Sequence, residues 1–108
     1  MTTPMTSEQL RALSELGVNA LEHEILAEKA YSLGHHGRMV EATMAELKAF
    51  DPATGTAEER LVLVKAAAQA TWKFFVQREL CGLRDQREII RFYGIPQDVL
   101  NRLGAIER

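Results

Sequence analysis

Thr56-Ala-Glu-Glu-Arg-Leu-Val-Leu-Val-Lys-Ala-Ala-Ala-Gln-Ala-Thr-Trp-Lys-Phe-Phe-Val-Gln-Arg-Glu-Leu-Cys81 is the stretch on which the fold turns. Thr56 with Glu59 three residues on has the form of a capping box, and no Pro or Gly interrupts the run until Gly82. At about 100° per residue, Leu61, Leu63, Val64, Ala67, Ala68, Ala70, Trp72, Phe74 and Phe75 cover more than half of the helix circumference. A helix so broadly apolar has to be covered on several sides, so residues 57–81 are expected to form a central helix with the others packed around it. Lys65, Gln69, Lys73 and Gln77 form a polar stripe at four-residue spacing along it.

Outward from this segment, helix formers dominate and glycine or proline marks the joints. A first helix is expected to open at Thr6 or Ser7 and to stop near Leu16, before Gly17. A second runs from an Asn19 N-cap to Leu33, and Gly34-His35-His36-Gly37 reads as a tight connection to a third over Arg38–Phe50. One continuous helix across that connection fits the pattern equally well. Asp51-Pro-Ala-Thr-Gly-Thr is a loop, because the residue before proline is driven out of the α region. After Gly82-Leu83 a shorter helix is expected from Arg84 or Asp85 to Tyr93. A turn at Gly94-Ile95 follows, then a last short helix with Pro96 at its first position, ending before Gly104. The expected fold class is all-α, five or six helices around the long helix 57–81, in one domain over residues 1–108 with 1–5 as a flexible tail.

Composition agrees. The 108 residues are 46% apolar and 26% charged, which is globular rather than disordered. A chain of this length buries roughly two-thirds of its unfolded surface, enough for one core. Cys81 is the only cysteine, so no intrachain disulfide forms, and with no secretory leader in Met1-Thr-Thr-Pro-Met-Thr-Ser the expected compartment is the cytoplasm. No apolar run approaches the length of a membrane span. The net charge of −2 is split: residues 1–54 carry four basic and eight acidic side chains, residues 55–108 nine basic and seven acidic. Neither half has the basic excess of a strong non-specific nucleic-acid binder.

Few residues suggest chemistry. His35 and His36 lie side by side, whereas helical metal ligands converge at three- or four-residue spacing, and no Glu-x-x-His occurs. Glu24 and Glu28 share one helix face, as surface carboxylates commonly do. Cys81 precedes Gly82 at a helix C-terminus, where the dipole disfavours a thiolate. No phosphate-binding glycine loop, zinc signature or hydrolase triad is present, so neither a cofactor nor a metal is expected and an enzyme is the less favoured reading. Arg78 is the exception: it falls within the apolar arc of the long helix, beside Phe74 and Thr71, where an unpaired cation is costly. A structural ion pair is expected there, with Asp85, Glu24 or Glu28 as the carboxylate.

Glu88–Leu103 has the outline of a DNA-binding helix-turn-helix. Arg84, Arg87 and Arg91 lie on the leading helix, and Gln97, Asn101 and Arg102 are offered to a duplex by the short trailing one. Asp98 opposes phosphate, and Ile90 stands where such units need a small side chain, so a helical cap on the core is the preferred reading.

Trp72-Lys-Phe-Phe-Val-Gln-Arg-Glu-Leu-Cys-Gly-Leu-Arg-Asp, Tyr93-Gly-Ile-Pro and the earlier Ala27-Glu-Lys-Ala-Tyr-Ser-Leu-Gly resemble a family of short bacterial helical proteins classed as a domain of unknown function. The resemblance implies a small helical protein and brings no activity, cofactor or catalytic residue. The expected function is a protein-interaction or self-assembling module without catalytic activity, a homodimer or a partner of another protein. The alternative is a small DNA-binding regulator using residues 84–103.

Overall fold

The computed structural model describes residues 4–15 and 20–105. It contains five helices: α1 (Ser7–Glu15), α2 (Ala20–Ala49), α3 (Ala57–Leu80), α4 (Arg87–Tyr93) and α5 (Gln97–Leu100). No strand occurs among the described residues, and the fold is all-α as expected. The expected stop at Leu16 and Gly17, the Asn19 cap and the first three residues of the expected tail lie outside the described residues. None of the helices described is long and apolar enough to cross a membrane.

The chain divides into two compact units, Met1–Tyr31 and Ser32–Arg108, and the division falls inside α2. In the first unit α1 begins where expected. Thr6 Oγ1 accepts from the Gln9 amide at 3.2 Å while Gln9 Oε1 accepts from the Thr6 amide at 2.9 Å, a reciprocal cap that satisfies two otherwise orphaned donors. None of this unit's residues whose side chains are described is buried.

The second unit is built on α3. Its N-terminus carries the expected capping box: the Glu59 amide donates to Thr56 Oγ1 at 3.1 Å and the Thr56 amide to Glu59 Oε1 at 3.0 Å. Its core joins Val40, Met44 and Leu47 of α2 to Val64, Ala67, Ala68, Ala70, Phe74 and Phe75 of α3, closed by Ile95 and Val99. The buried arc of α3 is narrower than its apolar residues suggested. Leu61 and Leu63 are only half-buried, and Trp72 is 47% exposed. Thr71 is fully buried, and among the described residues its hydroxyl has no hydrogen-bond partner, a cost on the order of 1–3 kcal/mol.

Gly34-His35-His36-Gly37 does not break the chain: α2 runs through it without interruption. The reason is tertiary. Gly37 is buried, and a Cβ built on it would lie 3.4 Å from Tyr93 Oη and 3.5 Å from the Phe74 ring. Position 37 thus packs on Phe74 and Tyr93, whose rings meet edge-on with centroids 6.2 Å apart, and the space there takes a methyl but no larger side chain.

The C-terminal elements are shorter than expected. Helix α4 starts at Arg87 rather than at Arg84 or Asp85, because the Asp85 carboxylate accepts the Arg87 amide at 3.1 Å and holds the preceding residues in a turn. Gly94 ends α4 in the left-handed region (φ 63°), where a side chain would be strained. Pro96 serves as the extended N-cap of α5 rather than its first helical residue. Helix α5 packs on α3, and Arg60 of α3 pairs with Asp98 of α5 at 2.7 Å. The hydrogen bond from Arg60 holds the Asp98 carboxyl below the usual carboxylate range.

Gly37→Ala is expected to leave stability unchanged or raise it by up to about 1 kcal/mol, since a methyl fits the space and glycine is a poor helix former. Gly37→Leu is expected to cost about 1–3 kcal/mol by overpacking against Phe74 and Tyr93; urea unfolding of both variants checks this. Asp98 is more acidic folded than unfolded, so its pair contributes above the unfolded carboxylate range and is lost as pH falls through the lower folded value. The half-exposed pair is expected to separate wild type from Asp98→Asn by about 1 kcal/mol or less at neutral pH. Thermal unfolding of the two is expected to converge as pH falls below the usual carboxylate range.

Candidate functional site

Arg78 is half-buried on the last turns of α3, its guanidinium 5.8 Å from the centre of the Phe74 ring. Its partners differ from the carboxylate expected. Nε donates to Gln86 Oε1 at 2.7 Å and Nη2 to the Asp85 main-chain carbonyl at 3.1 Å, while Gln86 Nε2 donates in turn to the Leu83 carbonyl at 3.2 Å. The Asp85 carboxylate instead takes Arg87, which donates from Nε at 3.1 Å and from Nη2 at 3.0 Å. That grip by Arg87 brings the Asp85 carboxyl down to about 2. Glu24 and Glu28 belong to the first unit. Residues 82–86 form a connector wrapped on Arg78, whose five donors suit carbonyl and amide oxygens there without a second charge being desolvated.

The helix-turn-helix outline is present, since α4, the Gly94 turn and α5 follow in order, but its parts are spent on the core. Helix α5 has four residues, about 6 Å of helix, too short to lie along a major groove. Val99 is fully buried, Asp98 is held by Arg60, and Gln97 Nε2 donates to Asn101 Oδ1 at 2.8 Å. On the leading side Arg84 and Arg91 are exposed, Arg87 is clasped by Asp85, and Arg102 lies on the turn after α5. This geometry does not favour duplex binding.

His35 and His36 stand edge-on on α2 with ring centroids 5.2 Å apart. Partial burial, then His35, then Lys73 hold the His36 pKa below its ordinary value. Among the described residues no group of three His, Cys, Asp or Glu side chains is placed to hold a metal ion.

Two exposed apolar surfaces stand out among the described residues. The first unit carries an open groove of about 590 Å³ lined by Met5, Leu21, Ile25, Glu24, Glu28 and His23, and nearby on α2 Leu26 and Tyr31 are also exposed. The carboxylate pair noted in the sequence thus borders an apolar trough. In the second unit, the segment from the end of α3 through α4 exposes Leu80, Leu83 and Phe92 among Arg84 and Arg91. Phe92 is 80% exposed and touches Tyr93 edge-on at 5.0 Å between centroids. Nothing in the helical periodicity singled out Phe92. Only its aromatic character beside Arg91 could have done so.

Arg78→Ala is expected to lower stability by about 1–2 kcal/mol, the range of hydrogen bonds from a charged donor at a half-exposed site. Gln86→Ala is expected to cost less, and the double variant less than the sum, because both act on one connector; chemical denaturation of the four proteins gives the coupling.

No curated protein and no solved structure matches the chain. A family model does: it matches residues 9–108, which takes in α2 to α5 and most of α1. The expected kinship with a helical family lacking an assigned activity is therefore correct, and the chain belongs to DUF6665, a family of unknown function.

Proposed function

We propose that the chain is a small helical interaction module, without catalytic activity of its own, that assembles with a second copy of itself. The observation that carries this reading is that none of the first unit's residues whose side chains are described is buried, while Leu21, Ile25, Leu26 and Tyr31 stand exposed. Short helices draw most of their stability from burying an apolar face, so such a unit gains from a covering surface.

The chemistry of the two exposed surfaces supports a second copy as the cover. Residues 1–31 carry five acidic and two basic side chains; residues 32–108 carry ten acidic and eleven basic. The trough of the first unit is apolar in its middle and bordered by Glu24 and Glu28. The α4 segment offers the converse, an exposed Phe92 next to Arg91 with Arg84 nearby. An aromatic anchor flanked by arginine is a common hot-spot composition. When α4 of one protomer enters the trough of the other, a two-fold axis repeats the contact, and the interface closes without leaving either surface open. Each buried apolar side chain contributes about 1.5–3 kcal/mol against an association cost of about 4–15 kcal/mol, so the contact needs several such side chains from each protomer.

Sedimentation of the full chain between about 1 and 100 µM is expected to show monomer passing to dimer. Phe92→Ser and Ile25→Ser are each expected to weaken the dimer about tenfold or more. Glu24→Arg with Glu28→Arg is expected to weaken it as well, and Arg84→Glu with Arg91→Glu on the same chain to restore it. A chain that stays monomeric throughout, or a dimer indifferent to these substitutions, overturns the proposal. So does a monomer that captures salt-sensitive duplex DNA through Arg91.

A further inference from the structure

The core of the second unit is drawn from one part of the chain. Among the described residues, its buried apolar side chains run from Val40 to Val99, and the half-buried ones packed on them from Leu33 to Leu103. Helix α2 is tied to α3 from Ser32 onward, where Ser32 Oγ donates to Gln77 Oε1 at 3.0 Å. The residues before Ser32 are placed differently. In the whole chain Leu21, Ile25, Leu26 and Tyr31 are between 48% and 68% exposed. Helix α1 has nine residues, and its Thr6–Gln9 cap is local to one turn.

A helix shorter than about 12–15 residues is marginal in water unless it buries an apolar face. Helix α1 is below that length. The stretch of α2 from Ala20 to Tyr31 belongs to the first unit and is nucleated by the packed remainder of the helix. Propagation from that nucleus adds one hydrogen bond per residue fixed, against about 1–2 kcal/mol of lost backbone freedom. With its apolar side chains left in water, such a helix end frays.

We propose that the first unit folds in step with assembly. The inference rests on the dimer proposed above. In the free monomer α1 and the Ala20–Tyr31 stretch of α2 are only partly helical, and the α4 segment of a second copy, seated in the trough, completes them. The second unit stays folded throughout. Part of the contact energy is spent on ordering the segment, so the strength of the dimer is set by helix propensity at positions that touch no partner as well as by the contact itself.

The test is amide hydrogen exchange of the full chain at about 1 and 100 µM, with sedimentation at the same concentrations. The amides of residues 22–30 are expected to exchange nearly freely in the monomer and to gain about tenfold protection or more in the dimer, while those of residues 67–75 are protected equally in both. Ala30 is exposed and lies outside the trough lining. Ala30→Gly is expected to weaken the dimer about tenfold or more, since both protomers lose helix propensity, and to leave the protection of residues 67–75 unchanged. Full protection of residues 22–30 in the monomer overturns this inference and leaves the assembly reading standing, and so does an Ala30→Gly dimer as tight as wild type. A chain still monomeric at 100 µM overturns both, and the sedimented mass tells the two failures apart.

Discussion

The close approach of α2 to α3 at Gly37 is the contact on which the second unit depends. The Phe74 ring lies where a larger residue at position 37 would stand, and Tyr93 meets the same glycine from α4. A small residue at this position therefore lets three helices share a single packing point. The alanines of α3 serve the same end along its length. Ala67, Ala68 and Ala70 are buried beside the larger Val40, Met44 and Leu47, so small faces large across the interface. Ser32 Oγ donates to Gln77 Oε1 at 3.0 Å and adds a polar tie between the same two helices.

Around that core the charged residues act as ties of different kinds. Arg60 and Asp98 join α3 to α5 as an ordinary half-exposed pair. Arg78 reaches across the connector to neutral oxygens, and its neighbour Asp85 is occupied by Arg87. Asp85 also accepts the Arg87 amide, which makes the carboxylate a local turn-former that starts α4. The shift of Asp85 from the expected partner of Arg78 to a partner of Arg87 follows from distance along the chain. The connector already brings residue 85 to Arg78 through its main-chain carbonyl, and the carboxylate is taken by the amide and guanidinium of Arg87 two residues on, a separation that closes with little loss of chain freedom.

The features that point toward function are those that folding leaves unspent. Buried Val99, paired Asp98 and the mutually bonded Gln97 and Asn101 make α5 a cap on α3, which removes the recognition helix from the helix-turn-helix reading. The trough bordered by Glu24 and Glu28 and the exposed Phe92 stay open on the surfaces of their own units. The polar stripe of α3 was visible as a four-residue repeat, but the repeat could not include Arg102, which lines a groove with Lys73 from 29 positions beyond it in the chain. No periodicity links residues brought together by a turn.

Local chemistry was enough to determine the all-α class, the start of α1 at Thr6 or Ser7, the capping box at Thr56, the long helix beginning at Ala57 and the Gly94 turn, because each rests on residues within one or two helical turns of one another. It left open whether α2 was one helix or two, since a glycine in a helix and a glycine in a turn look alike until something packs on it. Tertiary structure decided that question through Phe74 and Tyr93. It also decided the partner of Arg78, the exposure of Trp72 and the short span of α5. Each of these depends on which distant side chain occupies the neighbouring space, and that is a property of packing rather than of sequence spacing.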